Sequence, residues 1–272
     1  LACGNSPFKP LALFTTNGGK NWSPFSIPNI AEGLLYFKRG CVVLFHDNTI
    51  YRTVNGGNTW TSELSEGSCK HCSKFGSNFA FAILGSHIYS TNFIVTRDAG
   101  QTWLSANSPF QGMNVYAEGT HFFDTTAIWV FSVLGAVAKS EDLGNTWKVL
   151  NTERLVPDDG AIYTIFFLSD SVGFLGGGYE VKIGDIPYIF RTMDGGRTWD
   201  SITDLSFESN GPDPLEDDGE IDRRITHIFG SKSGNVLWAI AGNKQILRSN
   251  DTGRTWTEQL YPQYKTRFGN VY

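Results

Sequence analysis

Thr192-Met193-Asp194-Gly195-Gly196-Arg197-Thr198-Trp199 decides the architecture, because its pattern occurs six times in 272 residues. The other copies begin at Thr15, Thr53, Thr96, Ser140 and Ser249, always as Ser or Thr, any residue, Asp or Asn, any residue, Gly, any residue, Thr or Asn, Trp. Six of the eight tryptophans close the phrase: Trp22, Trp60, Trp103, Trp147, Trp199 and Trp256. The third letter (Asn17, Asn55, Asp98, Asp142, Asp194, Asp251) is a side chain that accepts backbone N–H groups a few residues on and closes a tight turn. The invariant glycine suits a left-handed backbone where a Cβ would clash. The tryptophan opens the next strand and lays a large apolar ring over the turn. Each phrase therefore reads as a structural staple between two strands, with no catalytic part.

Successive copies lie 38, 43, 44, 52 and 57 residues apart. Four strands of roughly 5 to 6 residues with short connections fill that length. The intervening text reads as strands rich in Phe, Ile, Val and Tyr, bounded by Gly, Asn or Asp. Before the second copy these are 33–39, 41–47 and 49–53, with a fourth from Thr59; before the fifth, 161–169, 172–178 and 187–192, then onward from Thr198; before the sixth, 224–229, 235–241 and 245–249. No amphipathic helix is legible. Apolar strands in four-strand periods predict an all-β fold, a β-propeller of six blades of four antiparallel strands, in which each sheet buries both faces against its neighbours.

The phrase resembles the Asp-box, or BNR, repeat of sialidase-like propellers. Its Thr-Trp endings and Asp-Gly-Gly variants look most like the photosystem II assembly and stability factor family and its non-photosynthetic bacterial relatives. The resemblance implies that the box joins the third and fourth strands of a blade. It also implies a propeller that binds partner proteins and has no known enzymatic activity. Residues 11–272 are then one propeller domain and residues 1–10 an N-terminal tail. With the first box at Thr15, blade one has room for its third and fourth strands only, so its first two come from elsewhere, with one candidate within Tyr264–Tyr272.

Lys and Arg number 22 against 27 Asp and Glu, a net charge of −5, which disfavours a nucleic-acid binder that must neutralise phosphates. No run approaches the roughly 18 apolar residues of a membrane-spanning helix. The acidic stretch 210–222, with Asp213, Glu216, Asp217, Asp218, Glu220 and Asp222, reads as a solvated loop rather than a calcium site, since its spacing is not that of an EF-hand. Four cysteines allow three pairings. Cys69-Lys-His-Cys72 has half of a zinc motif and no second half, so a local disulfide or two free thiols is expected, with His71 in an exposed loop. His46, His87, His121 and His227 show no ligand spacing. Leu1-Ala2-Cys3-Gly4 resembles the end of a bacterial lipoprotein signal, which makes Cys3 a lipidation candidate and implies membrane attachment; the alternative is a Cys3–Cys41 disulfide. Both place the protein outside the cytoplasm: periplasmic, cell-surface or secreted.

Sialidases share the box and are the enzymatic alternative. Their chemistry needs an arginine trio, a tyrosine nucleophile with a glutamate, and an acid aspartate, and their Arg-Ile-Pro signature is missing: Ile27-Pro28 follows Ser26, and Ile186-Pro187 follows Asp185. Xyloglucan hydrolases with the same boxes use paired aspartates and join two propellers, where this chain has length for one. One positional pattern remains. The residue before each box is Phe14, Arg52, Val95, Lys139, Arg191 or Arg248, basic in four of six, after an apolar residue in every case. Alternation along a strand places these basic groups at equivalent positions, a candidate partner-binding patch like the arginine patch of the assembly family. The competing reading is that each basic group pairs with an acid or carbonyl between blades. The expected function is a non-enzymatic interaction or assembly-scaffold propeller, an accessory subunit of a larger complex, with a protein partner and no cofactor, metal or nucleic acid; the alternative is a carbohydrate-active propeller.

Overall fold

The computed structural model describes residues 2–260 apart from 6–9, 16, 18, 39, 88–89, 114, 123–126, 152–153, 180–185, 203–204, 207–221, 232–235 and 243–244. Among them are twenty-four strands and no helix, paired into six sheets. The first contains β1 (Ala2–Asn5), β2 (Pro10–Phe14) and β3 (Ser23–Ser26). The second runs β4 (Gly33–Lys38), β5 (Cys41–His46), β6 (Thr49–Thr53), β7 (Thr61–Leu64). The third runs β8 (Ser68–Phe75), β9 (Phe79–His87), β10 (Ser90–Thr96), β11 (Leu104–Ala106). The fourth runs β12 (Ala117–Phe122), β13 (Ile128–Ser132), β14 (Val137–Ser140), β15 (Lys148–Asn151). The fifth runs β16 (Gly160–Phe167), β17 (Gly173–Tyr179), β18 (Ile186–Thr192), β19 (Asp200–Ile202). The last holds β20 (Leu205–Ser206), β21 (Ile225–Gly230), β22 (Leu237–Ala241), β23 (Gln245–Ser249) and β24 (Trp256–Leu260).

The chain divides into two compact units, one of Leu1–Ile128 with Ser140–Trp147, the other of Trp129–Lys139 with Lys148–Val271. Neighbouring strands pair antiparallel, with one addition: β20 lies parallel to β24, Leu205 opposite Trp256. Residues read as a tail supply β1, whose Ala2 pairs with Leu13 and Asn5 with Pro10. This strand covers an edge of β2 that would otherwise present unpaired N–H and C=O groups. The stretch Tyr264–Tyr272 lies outside the described residues.

In the first unit, β5 shows why strands of this fold are apolar throughout. Cys41, Val43 and Phe45 join Leu35, Phe37, Ala80, Ala82, Leu84 and Ile94 in a core shared with the third sheet. Val42 and Leu44 face the other way, onto Ala12, Phe25 and Ile27 of the first sheet's side. Alternate residues thus enter different cores, and no position is left for a polar side chain. In the second unit, Phe174 and Ile189 of the fifth sheet pack with Ile225, Leu237, Leu247 and Trp256 of the last. The outermost strands bury little: all four residues of β7 are exposed.

Candidate functional site

The boxes position everything around them. In the fifth, Thr192 Oγ1 donates to Asp194 Oδ1 at 2.8 Å and accepts the N–H groups of Asp194 at 3.2 Å and Gly196 at 2.9 Å. Asp194 Oδ1 accepts the N–H groups of Arg197 and Thr198 at 3.0 and 2.9 Å, and its Oδ2 accepts the Thr198 hydroxyl at 2.7 Å. Trp199 Nε1 donates back to the Gly196 carbonyl at 3.2 Å. Burial alone would push the Asp194 and Asp251 carboxyls up, but these hydrogen bonds outweigh it and hold both at about 2. Asn55 does the same work with its amide, accepting the Thr59 N–H at 3.0 Å and donating to the Thr59 hydroxyl at 2.8 Å. The first-letter hydroxyl is thus as much a hub as the acid, a role that sequence reasoning left to the acid alone.

All six box glycines have positive φ, from 74° at Gly253 to 95° at Gly196. Two further features were not read from the sequence. The residue before the glycine is left-handed as well: Ala99 at 63°, Leu143 at 59°, Thr252 at 60°. A Cβ on the glycine would also strike the preceding sheet, Val43 in the case of Gly100 and Phe174 in the case of Gly253. At these two boxes the turn is pressed against the seam between sheets, whereas a Cβ at Gly144 or Gly196 would meet the neighbouring sheet only at 3.4 or 3.5 Å.

The basic residues before the boxes fall into two groups. In the first unit, Arg52 on β6 donates through Nε to the Ala99 carbonyl of the next box at 3.1 Å. In the next sheet the pre-box residue is Val95, and Arg97 takes over, its Nη2 donating to the Leu143 carbonyl at 3.3 Å and to Asn145 Oδ1 at 3.0 Å. Both arginines reach the carbonyl of the left-handed residue before a box glycine. Arg97 was missed because it stands inside the box, at a letter that tolerates any residue. In the second unit, Lys139 on β14 pairs with Asp170 at 3.0 Å and lies 4.6 Å from the Trp129 ring. These three follow the inter-blade reading.

Arg191 on β18 and Arg248 on β23 do not. Each leaves a buried Nε without a hydrogen-bond acceptor among the described residues. Arg191 stands opposite Asp200 in the strand register. Burial first, then the charge of Arg254, lowers its affinity for its proton, while Asp251 and Asp200 oppose that shift. The Arg248 guanidinium lies 5.4 Å from the Trp238 ring. Half-buried cations with unused donors are suited to an anionic group that arrives from outside.

Other candidates settle as follows. The Cys3 side chain and most of the acidic stretch lie outside the described residues; Asp222, at its end, is no solvated acid but holds Arg224 by two hydrogen bonds of 3.0 and 3.2 Å. Cys41 is buried and free, its thiol donating to the Ala99 carbonyl at 3.6 Å, so the Cys3–Cys41 bridge is not formed. His71 is not in an exposed loop: it lies in β8, its Nε2 is 3.0 Å from the Thr120 hydroxyl, and burial lowers its pKa to about 4. Phe79, Phe81 and the β9 run draw Ser68–Phe75 into a strand, which carries His71 inward. Among the described residues, Glu32, His46 and Asp47 offer ligand atoms within 4.8 Å of one another, a donor set suited to a divalent cation, although Asp47 already pairs with His46 at 3.3 Å and Glu32 accepts the Cys69 N–H at 3.3 Å. A pocket of about 140 Å³ lined by Glu66, Asn92, Phe93, Ser105, Ala106 and Ser108 holds one carboxylate, and Asn92 donates to it.

No family model and no curated protein matches the sequence. Solved structures do. YCF48 bound to D1 peptide is similar at a TM-score of 0.58 and 20% identity, over 85% of this chain and 69% of that one. YCF48 from Cyanidioschyzon merolae is similar at 0.57 and 18%, over 85% of this chain and 74% of that one. The GH74 xyloglucanase from Xanthomonas campestris is similar at 0.67 and 13%, over 93% of this chain and only 43% of the enzyme. The fold is a six-sheet β-propeller.

Proposed function

We propose that this chain is an interaction propeller that receives an acidic segment of a partner protein on Arg191 and Arg248, as an accessory or assembly subunit outside the cytoplasm. The observation that carries the reading is the pair of buried guanidinium Nε atoms without an acceptor. A buried donor left unsatisfied costs about 1 to 3 kcal/mol, and a partner carboxylate that pairs by charge with each half-buried arginine offsets part of that cost. The structural similarity to YCF48 bound to D1 peptide supports the class of function. Membrane attachment through a lipid on Cys3 rests only on the resemblance of Leu1-Ala2-Cys3-Gly4 to a lipoprotein signal, and mass spectrometry of the native N-terminal peptide tests it: a lipid mass on Cys3 supports it, and an unmodified peptide that retains Ala2 overturns it. Affinity purification from the native source tests the binding reading, with wild type beside an Arg191→Gln/Arg248→Gln variant and an Arg52→Gln control. Wild type and control should retain one partner that the double variant loses.

One observation favours a glycan ligand instead. Tyr179 and Tyr188 stack at 5.5 Å, the Tyr188 hydroxyl is buried without a partner, and Arg224 lies 5.8 Å from the Tyr163 ring. Aromatic faces beside polar groups suit sugars. Titration with xyloglucan oligosaccharides against Tyr188→Ala separates this reading from the first.

A further inference from the structure

We propose that Cys69 and Cys72 form a reversible disulfide site, closed by thiol–disulfide exchange with a small-molecule disulfide of the glutathione class. In a regular strand, residues three apart point to opposite faces. Here β8 pairs Cys69 with Leu84, His71 with Ile83 and Cys72 with Ala82, so Lys70 is the extra residue of a β-bulge. The bulge brings both cysteines to one face. A Cβ built on Gly33 would stand 2.7 Å from Cys72 Sγ and 2.8 Å from Cys69 Sγ, so both sulfurs occupy the space that a side chain at position 33 would need.

Their surroundings divide the roles. Cys69 is 7% exposed, whereas Cys72 is only half-buried, which makes Cys72 the sulfur that an oxidant meets first. The hydrogen bond from Cys72, then burial, then the charges of Cys72 and Glu32 push the Cys69 thiol up, so it keeps its proton until a partner sulfur is in place. The Cys72 thiolate attacks the disulfide RS–SR, forms the mixed disulfide Cys72–S–SR and releases RS⁻. Cys69 then attacks Cys72 Sγ, and its proton passes to the released thiolate. The second RS⁻ leaves and takes up the proton that Cys72 lost. Two protein thiols and one RSSR become one protein disulfide and two RSH. Cys41, whose thiol donates to the Ala99 carbonyl, stays outside the exchange.

The test exposes the folded protein to oxidised glutathione and follows each cysteine by alkylation and peptide mass spectrometry. The expected result is a peptide with Cys69 and Cys72 lighter by two hydrogens, without glutathione, and restored by a reductant. Cys69→Ser should trap glutathione on Cys72, and Cys72→Ser should leave Cys69 unmodified. Gly33→Ala, whose methyl occupies the space of both sulfurs, should slow closure. Persistence of both thiols, separate glutathione adducts on each, or bridges from either cysteine to Cys3 or Cys41 would overturn the proposal. So would zinc binding by the reduced protein that requires both sulfurs.

Discussion

Thr252 holds a φ of 60° although its branched Cβ makes the left-handed region costly. Leu143 and Ala99 hold the same conformation one step before a box glycine, whereas the boxes at Thr53 and Thr192 place glycine there. The cost is about 1 to 2 kcal/mol for a non-glycine residue. Thr252→Gly should therefore raise stability by about 1 kcal/mol, less what the freer unfolded chain takes back, as read from the urea midpoint. Gly253→Ala should do the reverse and lose more than 1 kcal/mol, because its methyl meets Phe174 as well as a φ of 74°. The glycine itself was legible from recurrence. The strained residue before it was not, because that letter varies, and neither was the press against the neighbouring sheet, because that contact is distant in sequence.

Strands were the most legible elements: β6 and β23 match their expected bounds, β4 and β5 differ from theirs by one residue at one end, and β21 by one residue at each end. Apolar runs broken by Gly and Asn carry that information locally. The β8 bulge escaped, because an extra residue in a ladder leaves no mark on composition. With it went the partial burial of His71 and the shared face of Cys69 and Cys72. These elements set the acid response. His71 has its folded pKa lowered from 6.5 to about 4, so the stability of its neutral form is full above pH 6.5 and is lost as pH falls toward 4. Asp194 and Asp251 have theirs lowered from 3.8 to about 2, so their contribution is lost only as pH falls below 3.8 toward 2. Thermal melts should fall in two stages on acidification, and His71→Gln should shrink the first stage, to which His227, its pKa also lowered by burial, contributes as well, and leave the second unchanged. Asp194→Ala should cost about 2 to 3 kcal/mol at neutral pH, since it strands two N–H groups and a hydroxyl, as chemical denaturation would show.

At the scale of the molecule, a repeat chain turns one local phrase into six equivalent positions, and function enters where equivalence breaks. Arg52, Arg97 and Lys139 are absorbed by their neighbours, and Arg191 and Arg248 are not. Alternation made the row of basic residues legible. Which members have acceptors depends on the next sheet, and a single strand's text carries nothing of that. The net charge of −5 disfavours a polyanionic ligand. The most direct measurement is a titration of the partner recovered by affinity purification against the wild-type protein and the Arg191→Gln/Arg248→Gln variant, with circular dichroism confirming equal folding. Two lost charge-assisted contacts predict a dissociation constant weakened about a hundredfold or more. An unchanged dissociation constant in the folded double variant would contradict the assignment of these arginines to partner binding.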